Sequence, residues 1–154
     1  MSCSLETIRK GIVGSWKLVS YVSKPVNGDG PTRYPLGEDA RGYIFYTPEG
    51  YMSAQLMASG SKPYTTQDPY RAADDEAADA ACHFLAYSGP YEVLLQEGVA
   101  FMKHHMDLAL VPNWTGNYQL RKCDLKGDEL TLSPDRPWLM DGVLVNQYLT
   151  WKRV

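Results

Sequence analysis

The chain has 154 residues, is 44% hydrophobic, and carries 15 basic against 18 acidic side chains for a formal charge of −3. That length serves one domain with a proper hydrophobic core. The slight acidity, with no basic cluster beyond the pairs Arg121-Lys122 and Lys152-Arg153, argues against nucleic acid and anionic membrane as partners.

Met1 to Gly11 mix Ser, Glu, Arg and Lys with no apolar stretch, so they read as a polar N-terminal extension rather than a secretory leader. No apolar run approaches the ~18 residues of a membrane span, and a cytoplasmic protein is expected. Cys3, Cys82 and Cys123 are odd in number, widely spaced and without a C-x-x-C, which reads as three reduced thiols. Tyr supplies 11 of the aromatics against 4 Trp and 3 Phe, a bias toward rings with a polar tip.

Ile12 to Val22 opens the fold as a long strand in which Trp16, Leu18, Ser20 and Val22 alternate with Lys17, Val19 and Tyr21. Asn27-Gly28-Asp29-Gly30-Pro31 is a loop by its turn chemistry. Gly42 to Met57 is a hairpin: two β-rich runs meet at Thr47-Pro48-Glu49-Gly50, where Pro48 presets φ and Gly50 supplies the left-handed conformation. Both arms carry bulky groups on both faces. Such a hairpin has no wet face unless it bends around a core, and a closed barrel is the economical answer.

After a polar stretch at 58–67, a helix is expected over about 69–87. Asp68 suits its N-cap and Pro69 its first position, with a buried stripe of Tyr70, Ala73, Ala77, Ala80, Ala81 and Phe84. Asp74, Asp75, Glu76 and Asp79 form its wet side, near the N-terminus where the helix dipole favours them. Ser88-Gly89-Pro90 ends it. Five further runs of strand composition follow, at 91–95, 99–110, 114–123, 129–132 and 143–151, separated by turns. The expectation is mainly β: about eight antiparallel strands closing into an up-and-down barrel with one inserted helix.

Several segments together resemble a known family. Gly14-Ser15-Trp16 matches the lipocalin G-x-W signature, and Trp151-Lys152-Arg153 looks like the basic residue that packs on that Trp in lipocalins. Tyr34-Pro35-Leu36-Gly37, Ala40-Arg41-Gly42-Tyr43, the Tyr46 to Ala54 turn, Leu85 to Tyr91, His104-His105 and Pro112-Asn113-Trp114 make the match more specific. From about Ile12 to the C-terminus the chain resembles the intracellular lipocalin-like domain family of bacteria and fungi. The resemblance implies a calycin-type barrel, and relatives near biosynthetic pathways that act as cyclases or isomerases on small organic substrates.

His104-His105 is the sharpest polar feature. Strand neighbours point to opposite faces, and Met102, His104, Met106, Leu108 and Leu110 are apolar apart from the histidine, so His104 is the one expected inside. Two roles fit it: a general acid or base in an apolar cavity, or a neutral buried ring bonded to a Tyr hydroxyl or a carbonyl. His83, His104 and His105 offer no metal-ligand spacing. With no G-x-S-x-G elbow, G-x-G-x-x-G loop or P-loop, no cofactor is expected.

A ligand pocket is mostly apolar with a few converging polar groups. Tyr46, Gln55, Tyr91, Asn113, Trp114 and Tyr118 are candidates for that lining, although alternation does not say which face of each strand turns inward. Trp114, Tyr118 and Leu120 are placed on one face and Asn117, Gln119 and Arg121 on the other. Trp138 lies in a Pro-rich loop with Met140, where a lid over the barrel mouth, a core plug and a homodimer contact are all open. The function expected is binding of a small hydrophobic organic molecule inside the barrel with its cofactor-independent cyclisation or isomerisation, His104 acting on it. The alternatives are a non-catalytic carrier of such a molecule and an interaction module with a filled barrel.

Overall fold

The computed structural model describes residues 4–154; Cys3 and the first residues of the expected N-terminal extension lie outside them. Ser4 caps the first helix, α1 (Leu5–Ile12), its hydroxyl accepting from the Thr7 amide at 3.2 Å. Ile8 and Ile12, four apart and so on one face, are buried. The described part of the segment read as a polar extension thus carries a helix whose Ile8 and Ile12 join the core. Its apolar signal is only Leu5, Ile8 and Ile12 at three- and four-residue spacing within charged surroundings.

Ten strands follow: β1 (Gly14–Pro25), β2 (Arg41–Tyr46), β3 (Tyr51–Met57), β4 (Phe84–Gln96), β5 (Val99–His105), β6 (Leu108–Ala109), β7 (Tyr118–Lys126), β8 (Glu129–Pro134), β9 (Trp138–Met140) and β10 (Val143–Arg153). Eight of them run antiparallel in the order β1-β2-β3-β4-β5-β7-β8-β10, and β10 returns to pair with β1. The barrel is closed, as expected, and leaves no unpaired edge. The short β6 continues the β5 edge of β4, pairing Tyr87 and Ser88, and β9 forms a small hairpin with β10.

Alternation now resolves into faces. Ile44 and Tyr46 of β2 and Met52, Ala54 and Leu56 of β3 are buried, whereas Tyr43 and Phe45 lie outside with rings stacked at 6.0 Å. At one end Trp16 is fully buried, its indole N–H donating to the Ile12 carbonyl at 2.8 Å. The Arg153 guanidinium lies 4.2 Å over the Trp16 ring and donates to the Val13 and Gly11 carbonyls, tying α1 across the barrel end.

The helical segment differs from expectation. Asp68 does cap, accepting from the Tyr70 amide at 3.0 Å, but Pro69 opens only a single 3-10 turn, Pro69–Arg71. The second helix, α2, spans Asp74–Cys82 and buries none of its residues; Tyr70 is almost wholly exposed. Residues 84–87 are strand: Phe84 pairs Met57 and Tyr87 pairs Ala54, so continuing the barrel wall outweighs local helical spacing. Ser88-Gly89-Pro90 lies mid-strand in β4. Gly89 is required there, because a Cβ would overlap the His105 carbonyl at the end of β5.

Candidate functional site

Opposite the Trp16 end, the barrel holds a cavity of about 260 Å³. Leu56, Leu85 and Leu149 form its apolar wall, and Tyr87, Trp114 and Trp138 its aromatic one. Tyr87 and Trp114 meet edge to face, with ring centroids 6.0 Å apart. Tyr21, Gln119, Arg121 and Gln147 bring polar atoms into the same space. A larger hollow of about 600 Å³ lies near Leu95 and β7, but Lys122, Asp124, Lys126, Thr131 and Tyr148 line it with outward-facing side chains. It is a surface groove, while the smaller cavity has the apolar wall and few polar groups of a ligand site.

The polar groups of the cavity form a short network. Tyr21 donates its hydroxyl to Gln147 Oε1 at 3.3 Å, and Gln147, only 6% exposed, has no partner for Nε2. Arg121 Nη2 donates to Gln119 Oε1 at 2.6 Å and Nη1 to the Leu120 carbonyl at 3.3 Å. Burial raises the pKa of the Tyr21 and Tyr87 phenols, and the Arg121 charge opposes that rise.

Deeper in the barrel, His104 is fully buried, and its Nε2 lies 2.8 Å from the Tyr46 hydroxyl. Nδ1 has no partner, so whichever nitrogen carries the proton, half the ring goes unsatisfied. Burial, assisted by Arg121 and His105, pulls the imidazole pKa down to about 3, and burial pushes the Tyr46 phenol up. Both groups are neutral at physiological pH. This is the geometry of a buried histidine bonded to a tyrosine, one of the two arrangements open in the sequence. Tyr46→Phe should cost about 1–3 kcal/mol in urea unfolding, because it strips His104 of its one side-chain partner.

The expected site residues divide into three groups. Tyr46, Tyr91 and His104 come together in the core, Tyr91 standing edge-on to Tyr46 at 5.0 Å and donating to the Thr47 carbonyl. Trp114 and Trp138 line the cavity. The other three point away from it. Gln55 faces outward and bonds Ser53; Asn113 is exposed on the 3-10 turn Pro112–Trp114; Tyr118 is exposed outside under the Lys103 ammonium at 4.3 Å.

Tyr21, Tyr87, Gln119, Arg121 and Gln147 belong to the cavity and were absent from the expected lining. Counting alternation from Trp114 to Tyr118 failed because residues 112–117 are a turn and not strand. The charged series Lys122, Asp124, Lys126 marked the outer face of β7 and would have placed Gln119 and Arg121 inside.

Among the described residues, no group of three His, Cys, Asp or Glu side chains is placed to hold a metal ion, and no helix is long and apolar enough to cross a membrane. No solved structure matches the chain. The chain is 34% identical over 107 residues to the 4'-hydroxy-3'-methoxypropiophenone carrier protein ppsC of Aspergillus oryzae (strain ATCC 42149 / RIB 40), covering 67% of this chain and 96% of that protein. A family model described as a lipocalin-like domain matches residues 13–154, nearly all of the sequence, and with the closed barrel over the same span this chain belongs to the lipocalin-like domain family.

Proposed function

We propose that this protein binds and carries a compact aromatic intermediate of small-molecule biosynthesis in the barrel cavity, without transforming it. The observation that carries this reading is the cavity itself: an apolar and aromatic wall with a few polar groups, and no His, Cys, Asp or Glu side chain in its lining. At interior packing density a 260 Å³ space holds on the order of a dozen non-hydrogen atoms, a size class that includes the propiophenone named for the relative.

Titration with 4'-hydroxy-3'-methoxypropiophenone, followed by tryptophan fluorescence, tests the reading, since Trp114 and Trp138 flank the cavity. Quenching that saturates is the expected result, with the probe recovered unchanged after long incubation. Leu85→Trp, which fills the space, should weaken binding at least tenfold while leaving the far-UV dichroism intact; unaltered affinity in that variant would move the site elsewhere.

The alternative is a cofactor-independent cyclase or isomerase acting through His104. One observation favours it: Nδ1 is unpartnered, and the ring lies 6.0 Å from Tyr87 of the cavity wall. Under that reading His104→Gln lowers turnover of a bound substrate far more than its affinity.

A further inference from the structure

Arg121 is a cation turned into the barrel without an anion to meet it. Met102 is its partner across β5, and both face inward. Among the described residues no carboxylate lies within the 4.0 Å of an ion pair from its guanidinium. The groups that face it are Tyr21 from β1, Tyr46 from β2, Tyr87 from β4 and His104 from β5, with Cys123 next along β7. The phenols and the imidazole are uncharged at neutral pH, and the cavity lining holds no Asp or Glu to offset the guanidinium.

The amides reinforce the imbalance. Gln119 turns its oxygen to Arg121 and Gln147 turns its oxygen to Tyr21, so neither oxygen points free into the cavity. The unmatched donors are the other guanidinium N–H groups and the unpartnered Nε2 of Gln147, a residue more than nine-tenths buried. A partly buried site with one positive charge, several unmatched donors and no carboxylate in its lining is complementary to an oxyanion. The leucines and Trp114 then hold a flat apolar body.

We propose that the ligand binds as an oxyanion, its charged oxygen on Arg121 and Gln147 and its conjugated ring between Tyr87, Trp114 and Trp138. This rests on the cavity being the binding site, as proposed above. A phenol conjugated through its ring to a carbonyl meets the requirement: it is a vinylogous acid, ionises far more readily than tyrosine, and gives its proton to solvent. An aromatic carboxylate presents the same chemistry.

The test compares para-hydroxyacetophenone with para-methoxyacetophenone, which cannot ionise, and para-methoxybenzoate with its methyl ester. In wild-type protein the ionisable member of at least one pair should bind about tenfold or more tightly than its neutral partner. For the phenol, the long-wavelength phenolate band should emerge at a pH at least about one unit lower than in buffer. Arg121→Gln should abolish the preference while still binding the neutral ether, and Lys122→Gln, the same charge change on the outer face, should leave it intact. Preference for the acid alone would identify a carboxylate as the anion, preference for the phenol a phenolate, and either supports the proposal.

Equal affinities within both pairs and an unmoved phenolate band would overturn it, with binding in the cavity still standing. A preference that survives in Arg121→Gln would also overturn it. If none of the four probes binds, the cavity reading falls together with the proposal. Should Arg121→Gln fail to fold, the wild-type comparisons decide by themselves.

Discussion

Trp16→Ala is expected to destabilise the protein by about 3–5 kcal/mol, the range for truncating a fully buried Trp. Three interactions end at that ring. It is completely enclosed beside Ile8 and Ile12, its N–H is bonded to the Ile12 carbonyl, and Arg153 lies across its face. The Arg153 guanidinium bonds the Gly11 and Val13 carbonyls, so losing the ring also loosens the clamp that seats α1 on the barrel end.

A domain of this size has about 5–15 kcal/mol in total, so the variant should sit near the edge of folding at 37 °C. Urea unfolding followed by fluorescence and dichroism together measures this, with the midpoint falling and the slope preserved. A loss below about 1 kcal/mol would mean that the barrel end is held by the strand ladder and not by this stack. Arg153→Lys should fall between, keeping the charge and losing the flat stacking geometry.

The second large effect is on acid stability. Folded His104 stays neutral down to about pH 3, while in the unfolded chain the same imidazole takes up a proton below about 6.5. Between those values the unfolded state binds more protons, so stability falls as pH falls, by about 1.4 kcal/mol per unit, with no contribution above about 6.5. From pH 7 to 4.5 this amounts to roughly 2–3 kcal/mol from one residue.

His104→Gln removes the titration while leaving Tyr46 a bonding partner. Stability measured against pH should therefore drop more steeply in wild type than in the variant over that window. The groups acting on the imidazole are the Tyr46, Tyr87 and Tyr91 phenols, Arg121 and the neighbouring His105, all of them kept in the variant, so their own contributions are common to both curves. The exposed Glu92, whose pKa is lowered by His105 and Lys103, acts at lower pH and in both proteins alike. Parallel curves would show that His104 is solvated well enough to protonate in the folded state.

Local chemistry determined a good deal about this protein. Hairpin turns such as Thr47 to Gly50 and period-two runs specify antiparallel strands, and a hairpin with bulk on both faces has to curve around a core. The Met102-His104-Met106 series is apolar but for one residue, enough to send His104 inward. Trp16 and Arg153 were legible as a pair because sequence motifs carry end-closing contacts that recur in related barrels.

The tertiary structure decided the rest, in each case because pairing partners are distant in sequence. Phe84 to Tyr87 satisfies both helical and strand patterns locally, and only the neighbouring β3 selects strand. The short apolar pair Ile8 and Ile12 signals burial only once the barrel end exists to receive it. The inward face of β2 and β3 is set by which way the closed sheet curves. Arg121 shows the division: the charged series Lys122, Asp124, Lys126 is enough to turn it inward, but that its side chain meets a cavity follows from the register of β7 against β5 and from the distant strands that wall the space.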